Sequence, residues 1–265
     1  MFRAILVAVV SMTIVSTLCT LLAIAGLIYP SRRFCDFVSY VWSHYTLIVA
    51  GVRLSIEGSE HLAGGGPFFF VGNHQSALDI AIICEATRGD VRFLAKSSLF
   101  RIPVFGWDLG RYGYIPIDRK HPRETHRALA RMLSRMRHDP VSLVMFPEGT
   151  RSPDGEMLPF RQGAMKICQR AGLPIVPFSI QGTRAVLRRG VYKIRPGSVR
   201  LVFGKAIPAD EVEAMTARAL ANRLWREVAN GLGDPRTSTT EQPTDPCGGG
   251  ALTIDDEIDS TTSAH

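Results

Sequence analysis

His74 and Asp79 stand five positions apart in the segment FFFVGNHQSALDI, Phe68 to Ile80. An unperturbed imidazole titrates at about 6.5, which leaves a useful neutral fraction near pH 7. A carboxylate held against one ring nitrogen fixes which nitrogen carries the proton. The other nitrogen can then take a proton from an alcohol, help that is typically worth about 10² to 10⁴ in rate. Five residues are about 500° of helix, so the two side chains cannot share a helical face. They meet only if His74 lies in a turn and Asp79 in the first turn of the helix that follows. A structural alternative uses the same residues. Ser76-Ala77-Leu78-Asp79 has the pattern of a capping box, with Ser76 as N-cap and Asp79 at the third helical position.

An alcohol activated in this way needs something to hold it. Phe146-Pro147-Glu148-Gly149-Thr150-Arg151-Ser152 follows the apolar run VSLVMF. Gly149 allows close backbone approach to a ligand, Arg151 offers a planar fork suited to phosphate, and Glu148 could orient Arg151 or a substrate hydroxyl. The alternative is an ordinary Pro/Gly turn with a surface Glu-Arg pair. Lys96 follows Phe93-Leu94-Ala95, and Gly113 to Arg119 ends on a second guanidinium. Between them lies SSLFRIPVFGWDLGRYG, rich in apolar side chains. Apolar surface flanked by cations suits a lipid with an anionic head; core packing with solvated bases is the other reading. The chain contains no GxSxG elbow, Walker A loop or GxGxxG fingerprint. A covalent intermediate on Ser76 or Cys84 has no supporting motif. The simplest chemistry is direct transfer between a base, an alcohol and an activated acyl group.

These groups fall where strands end. GVRLSIEG, FFFVGN, Val91 to Ala95, VSLVMF, PIVPFSIQG and SVRLVFG read as strands, and Ala77 to Thr87, Arg123 to Arg137, Gln162 to Ala171 and Glu211 to Val228 as helices. On the helix over 123–137, Leu129, Met132, Leu133 and Met136 share one face. The alternation predicts an α/β fold with a mixed central sheet flanked by helices, and His74 just past the end of a buried strand.

From Ala4 to Tyr29 there is no charged residue. As a helix that stretch is about 39 Å long, enough to cross a hydrocarbon core of about 30 Å. A retained N-terminal membrane anchor is the expectation; a secretory signal with Ala23-Ile24-Ala25 as cleavage site is the alternative. Phe34 to Val52 mixes aromatic and polar residues and fits an interfacial amphipathic helix or a second helix of a membrane-seated hairpin. Residues 1–52 are thus read as a membrane anchor, 53–232 as the catalytic domain and 233–265 as a disordered acidic tail. The tail from Asp234 carries −6, so the +7 of the whole chain leaves +13 on everything before it. A basic body suits nucleic acid, a membrane surface or phosphorylated small molecules. Five cysteines with no CxxC spacing imply neither a zinc site nor a disulfide framework, and fit a body facing the cytoplasm.

Taken together, the motifs resemble the 1-acylglycerol-3-phosphate acyltransferase (lysophosphatidate acyltransferase) family of membrane glycerolipid enzymes. The family's NHxxxxD block is present as Asn73 to Asp79 and its FPEGTRS block as Phe146 to Ser152 without a change. Its second block is similar to Gly113 to Arg119, with Pro116 a departure, and its fourth to Val176-Pro177-Phe178-Ser179-Ile180. The resemblance spans about Gly51 to Pro208. It implies phospholipid biosynthesis at a cell membrane, with the catalytic domain on the cytoplasmic side. A fatty acyl group would move from acyl-CoA or acyl carrier protein to the free hydroxyl of lysophosphatidic acid, giving phosphatidic acid. His74 is the implied general base and Asp79 its partner. Arg119, Glu148, Gly149, Thr150 and Arg151 form the implied acceptor site, with Lys96 a weaker addition, and residues near Pro177 are implied in placing the donor or acyl chain. No metal or resident cofactor is required, and no nucleic-acid partner is implied. A sister enzyme acting on glycerol 3-phosphate or a lyso aminolipid, an anionic-lipid-binding membrane protein without turnover, and a secreted hydrolase are the competing expectations.

Overall fold

Phe68 to Val71 places four apolar side chains in succession, and in a strand such a run buries both faces. The computed structural model describes residues 31–234 except 103–104, 112, 119–121, 189 and 191–192, together with positions 6, 10, 13, 14, 17, 21 and 242–243. Seven strands form one sheet: β1 (Val52–Glu57), β2 (Phe69–Gly72), β3 (Val91–Lys96), β4 (Ile115–Ile117), β5 (Ser142–Met145), β6 (Ile175–Gln181) and β7 (Gly197–Phe203). Their spatial order is β1-β7-β6-β2-β5-β3-β4. From β6 to β4 all neighbours are parallel; β7 runs antiparallel to β6, and β1 follows β7. The sheet is therefore mixed, and the C-terminal ends of β2, β3, β4, β5 and β6 share one edge.

Period-two alternation divides the core. Phe69 and Val71 of β2, with Leu143 and Met145 of β5, face one layer. That layer contains α4 (Pro122–Met136), α5 (Gln162–Ala171), α7 (Ala209–Ala214) and α8 (Ala217–Leu232). Phe68, Phe70, Phe93, Val144 and Phe178 face the other, covered by α1 (Arg32–Ala50) and α2 (Leu78–Ala86). Two further short α-helices, α3 (Phe105–Arg111) and α6 (Thr183–Val186), and 3-10 turns over Ser59–Leu62 and Ser97–Arg101 lie between these elements. On α4, Leu129, Met132 and Met136 are buried and Leu133 is partly buried, as their spacing predicts.

The expectation of one helix over Glu211 to Val228 is corrected. The chain breaks at Met215-Thr216, both in extended conformation, and the Thr216 side chain accepts the Ala219 N–H at 3.2 Å to start α8 anew. The amphipathic period continues across the break, which hid it. The strand β4 went unread because three residues carry no period, and α3 lies in the apolar stretch after Lys96.

The helix α1 is bolted down by charge. Asp36 forms a salt bridge at 2.8 Å with Arg92, which is almost completely buried and lies 5.7 Å from the centre of the Tyr114 ring. Arg32 reaches Asp139 at 2.6 Å and also pairs with Asp90. The outer face of α1 exposes large apolar side chains, Phe37 at 59% and Ile48 at 58% with Tyr45 beside them, interleaved with the exposed Arg33 and His44. Among the described residues no helix is long and apolar enough to cross a membrane. The expected anchor over Ala4 to Tyr29 lies mostly outside the described residues, as does nearly all of the tail. Within the tail, the Gln242 amide bonds both the N–H and the carbonyl of Phe160, at 2.7 and 2.9 Å.

Removing one member of a buried ion pair leaves the other charge uncompensated, whereas replacing both by apolar groups does not. Asp36→Ala is expected to cost about 3–5 kcal/mol in urea unfolding, and Asp36→Leu with Arg92→Met to recover most of it. A loss below about 1 kcal/mol for the single variant would mean that this pair does not hold α1.

Candidate active site

The site begins where β2 can no longer continue. A Cβ on Gly72 would lie 2.4 Å from both the ring and the carbonyl oxygen of Phe178, so only glycine lets β2 run this close to β6. The next residue, Asn73, is buried and exchanges two 2.8 Å hydrogen bonds with the backbone of Ile180. The turn that carries His74 is thus fixed to the middle of the sheet. The helix α2 starts at Leu78, but Ala77 is already helical at φ −64° and ψ −22°. Asp79 therefore falls in the first turn, as the meeting of the two side chains requires.

Asp79 is completely buried and saturated with donors. Its Oδ2 accepts His74 Nδ1 at 2.8 Å, Gln75 N–H at 2.7 Å and Ser76 N–H at 2.8 Å. Its Oδ1 accepts the Thr183 hydroxyl of α6 at 2.6 Å. The two readings of this segment prove compatible. Asp79 receives the Ser76 N–H as in a capping box, the Ser76 hydroxyl accepts the Leu78 N–H at 3.3 Å, and the same carboxylate holds the histidine. A carboxylate only accepts, so Nδ1 carries the proton and Nε2 is the basic nitrogen. The His74 side chain keeps 16% of its surface exposed, at the sheet edge where the parallel strands end.

The turn after β5 closes on this histidine. The Phe146 ring stacks on the imidazole with centroids 4.1 Å apart and planes 16° apart. Glu148 accepts the His74 N–H at 2.7 Å with Oε1 and the Leu158 N–H at 3.1 Å with Oε2. The Ser152 N–H bonds the His74 carbonyl at 2.9 Å. Glu148 is only 2% exposed. Burial raises its pKa to about 8 against the pull of its two N–H donors, and the nearby Asp79 adds to the rise. Gly149 adopts φ +70°, a left-handed turn conformation that favours glycine.

The other expected residues are placed as follows. Thr150 and Arg151 are half-buried beside Ser152, and Lys96 is the exposed last residue of β3, on the same sheet edge as His74. Arg119 lies outside the described residues. Pro177 sits inside β6, where the neighbouring Phe178 meets Phe146 edge-on at 5.9 Å; the fourth block thus forms sheet core behind the site. Nucleophilic roles for Ser76 and Cys84 do not fit. The buried Ser76 hydroxyl donates to the Leu187 carbonyl at 2.7 Å, and burial pushes the Cys84 thiol up to about 12. Two contributors escaped sequence reasoning. Thr183 is 104 residues from Asp79 and carries no motif, whereas the ring of Phe146 belongs to one.

The comparisons with known proteins agree with this architecture. A family model described as Acyltransferase matches residues 53–181, from β1 to the end of β6. The chloroplastic 1-acyl-sn-glycerol-3-phosphate acyltransferase of Brassica napus is 33% identical over 190 residues, 71% of this chain and 54% of that protein. The 1-acyl-sn-glycerol-3-phosphate acyltransferase of Saccharomyces cerevisiae is 32% identical over 176 residues, 66% of this chain and 56% of that protein. Residues 53–181 of the chain match the acyltransferase family, and the similarity to these two enzymes extends over about two thirds of the chain. It spans about half the length of these relatives. The crystal structure of the 1-acyl-sn-glycerophosphate (LPA) acyltransferase PlsC from Thermotoga maritima shares its α/β fold, with a TM-score of 0.72 at 23% identity over 88% of this chain and 96% of that one.

The raised Glu148 pKa gives a signed pH dependence. A carboxyl that binds its proton more tightly when folded contributes stability fully present below its ordinary value of 4.5 and lost as pH rises through about 8. The difference in unfolding free energy between the wild type and Glu148→Gln should therefore move against the wild type across that interval. A difference that stays constant with pH would show that Glu148 does not titrate there.

Proposed function

We propose that the protein transfers a fatty acyl group to the free hydroxyl of a 1-acylglycerol 3-phosphate, giving phosphatidic acid, with His74 as general base. The observation that carries this reading is the 2.8 Å contact between His74 Nδ1 and the buried, donor-saturated Asp79. With Nδ1 committed, Nε2 takes the hydroxyl proton as the alcohol oxygen attacks the carbonyl of an acyl thioester, carried on coenzyme A or on acyl carrier protein. The new C–O bond forms, the C–S bond breaks, and the proton passes from Nε2 to the departing thiolate. The imidazole returns to its starting form without a covalent enzyme intermediate, and no metal or resident cofactor enters the step.

Arg151 and Lys96, with Arg119 two residues past β4 in the sequence, are the proposed cations for the acceptor phosphate. Gly149 and Thr150 offer it a tight, accessible turn. Lys96 at the end of β3, and Arg151 in the turn that follows the adjacent parallel strand β5, support this, since ligands of open α/β sheets bind beyond those ends. The names borne by the relatives support a glycerophosphate acceptor.

The substrates are amphiphiles, and a membrane location follows from the same reading. The apolar segment before residue 31 would serve as the anchor, and the outer face of α1, with Phe37, Tyr45 and Ile48, would lie in the lipid interface on the cytoplasmic side. A nitroxide at Phe37 or Ile48 of the membrane-bound protein should be more accessible to oxygen dissolved in lipid than to a water-soluble nickel chelate. The opposite order would place α1 in water.

His74→Ala is expected to lower acyl transfer to lysophosphatidic acid by at least about 10² while leaving the circular dichroism unchanged. Turnover equal to the wild type would remove the assignment of the base. A panel including glycerol 3-phosphate and a lyso aminolipid tests the acceptor, and a preference for either of these would replace the acceptor named above.

A further inference from the structure

The FPEGTRS turn touches the histidine at three separate points. The Phe146 ring covers one face of the imidazole, Glu148 Oε1 takes the His74 main-chain N–H, and the Ser152 N–H takes the His74 carbonyl. The ring is itself backed from two directions, by Phe178 of β6 edge-on at 5.9 Å and by Phe93 of β3 at 6.4 Å. Glu148 is tied in turn: Oε2 holds the Leu158 N–H, and its carbonyl accepts Arg161 Nε at 3.3 Å.

The hydrogen bond to Asp79 cannot by itself aim the basic nitrogen. It fixes one ring atom along one direction and leaves the ring free to tilt about that axis. It also leaves the main chain of the turn free to shift. A proton acceptor has to lie within about 2.6–3.2 Å of the hydroxyl it serves. A flat side chain packed on the ring removes the tilt, and bonds to the histidine's own N–H and carbonyl remove the shift.

We propose that the Phe146–Ser152 turn is a positioning clamp for His74, in which Phe146 sets the plane of the imidazole and Glu148 sets its main chain. Glu148 is therefore a positioning residue rather than an acceptor ligand. Both of its oxygens already hold backbone donors, the His74 and Leu158 N–H groups, so neither is left to hold the acceptor. The clamp also explains why a turn that carries the proposed anion-binding arginine starts with a half-buried phenyl ring and a buried acid: one segment places the base and the acceptor's headgroup in a common frame. The inference rests on His74 being the base.

The test separates placement from binding. Glu148→Gln keeps the shape but turns an amide N–H₂ toward one of two N–H donors, so one of the two ties breaks. Misplacing a catalytic group by about 1 Å can cost about 10²-fold. We expect kcat of Glu148→Gln in acyl transfer to lysophosphatidic acid to fall by roughly 10- to 100-fold, with KM for the acceptor within about threefold of the wild type. Phe146→Leu, which keeps apolar volume but loses the flat face, should lose about tenfold in kcat at similar KM, and Phe146→Tyr should recover most of it. A merely structural ring would not divide the variants by flatness. Should Glu148→Gln not fold, the Phe146 pair decides. A raised KM with wild-type kcat in Glu148→Gln would overturn the proposal, as would wild-type kcat in Phe146→Leu. His74→Ala in the same assay keeps the two ideas apart. If that variant is inactive while the clamp variants keep kcat, only the clamp fails; if it turns over normally, the assignment of the base fails first.

Discussion

The carboxylate of Asp79 is the point on which the rest of the site depends. Burying a charged group with empty acceptor positions costs far more than a domain can tolerate, so its four donors are obligatory. Those donors come from the turn after β2, from His74 and from Thr183 beyond β6. Satisfying one buried oxygen pair therefore fixes the turn, the entry of α2, the ring of the histidine and the segment after β6 relative to each other. The same requirement serves folding and the proposed chemistry, which is why the capping pattern and the His74-Asp79 pair meet on one residue, Asp79.

The sheet supplies what the carboxylate cannot. Parallel neighbours β2, β5 and β3 deliver His74, Glu148 and Lys96 to one edge although these residues are spread over more than fifty positions of chain. Behind that edge stands a row of rings, Phe93 of β3, Phe178 of β6 and Phe146 just past the end of β5, against which the imidazole is the last member. A packed aromatic row is stiff, and stiffness at this place is what a proton transfer needs. On the far side of the same layer, α1 is held by a buried ion pair and leaves apolar residues facing outward. The reacting edge and a candidate lipid-facing surface are thereby connected through one rigid layer.

Much of this was legible before any coordinates. Runs buried on both faces mark β2, β3, β5 and β6, and alternation of apolar with polar residues marks β1 and β7. Gln162 to Ala171 was bounded correctly by its period and by Gly172. The five-residue offset was enough to require a turn for His74 and a helix start for Asp79. What stayed hidden is physically different in kind. Thr183 joins the site only through tertiary folding, and nothing local marks it. The break at Met215-Thr216 keeps the amphipathic period, so the cap that restarts α8 is visible only in its hydrogen bond. The acid in FPEGTRS reads as a ligand on a turn; only its burial and its two backbone donors reveal that both oxygens are already engaged.

The central claim is that the buried carboxylate fixes the tautomer of His74, with the proton on Nδ1 and Nε2 left as the base. Long-range ¹⁵N–¹H correlation of the His74 ring in the folded, membrane-reconstituted protein reads this directly. A protonated Nδ1 and a bare Nε2 in the neutral ring is the result predicted here; a neutral ring carrying its proton on Nε2 would contradict it.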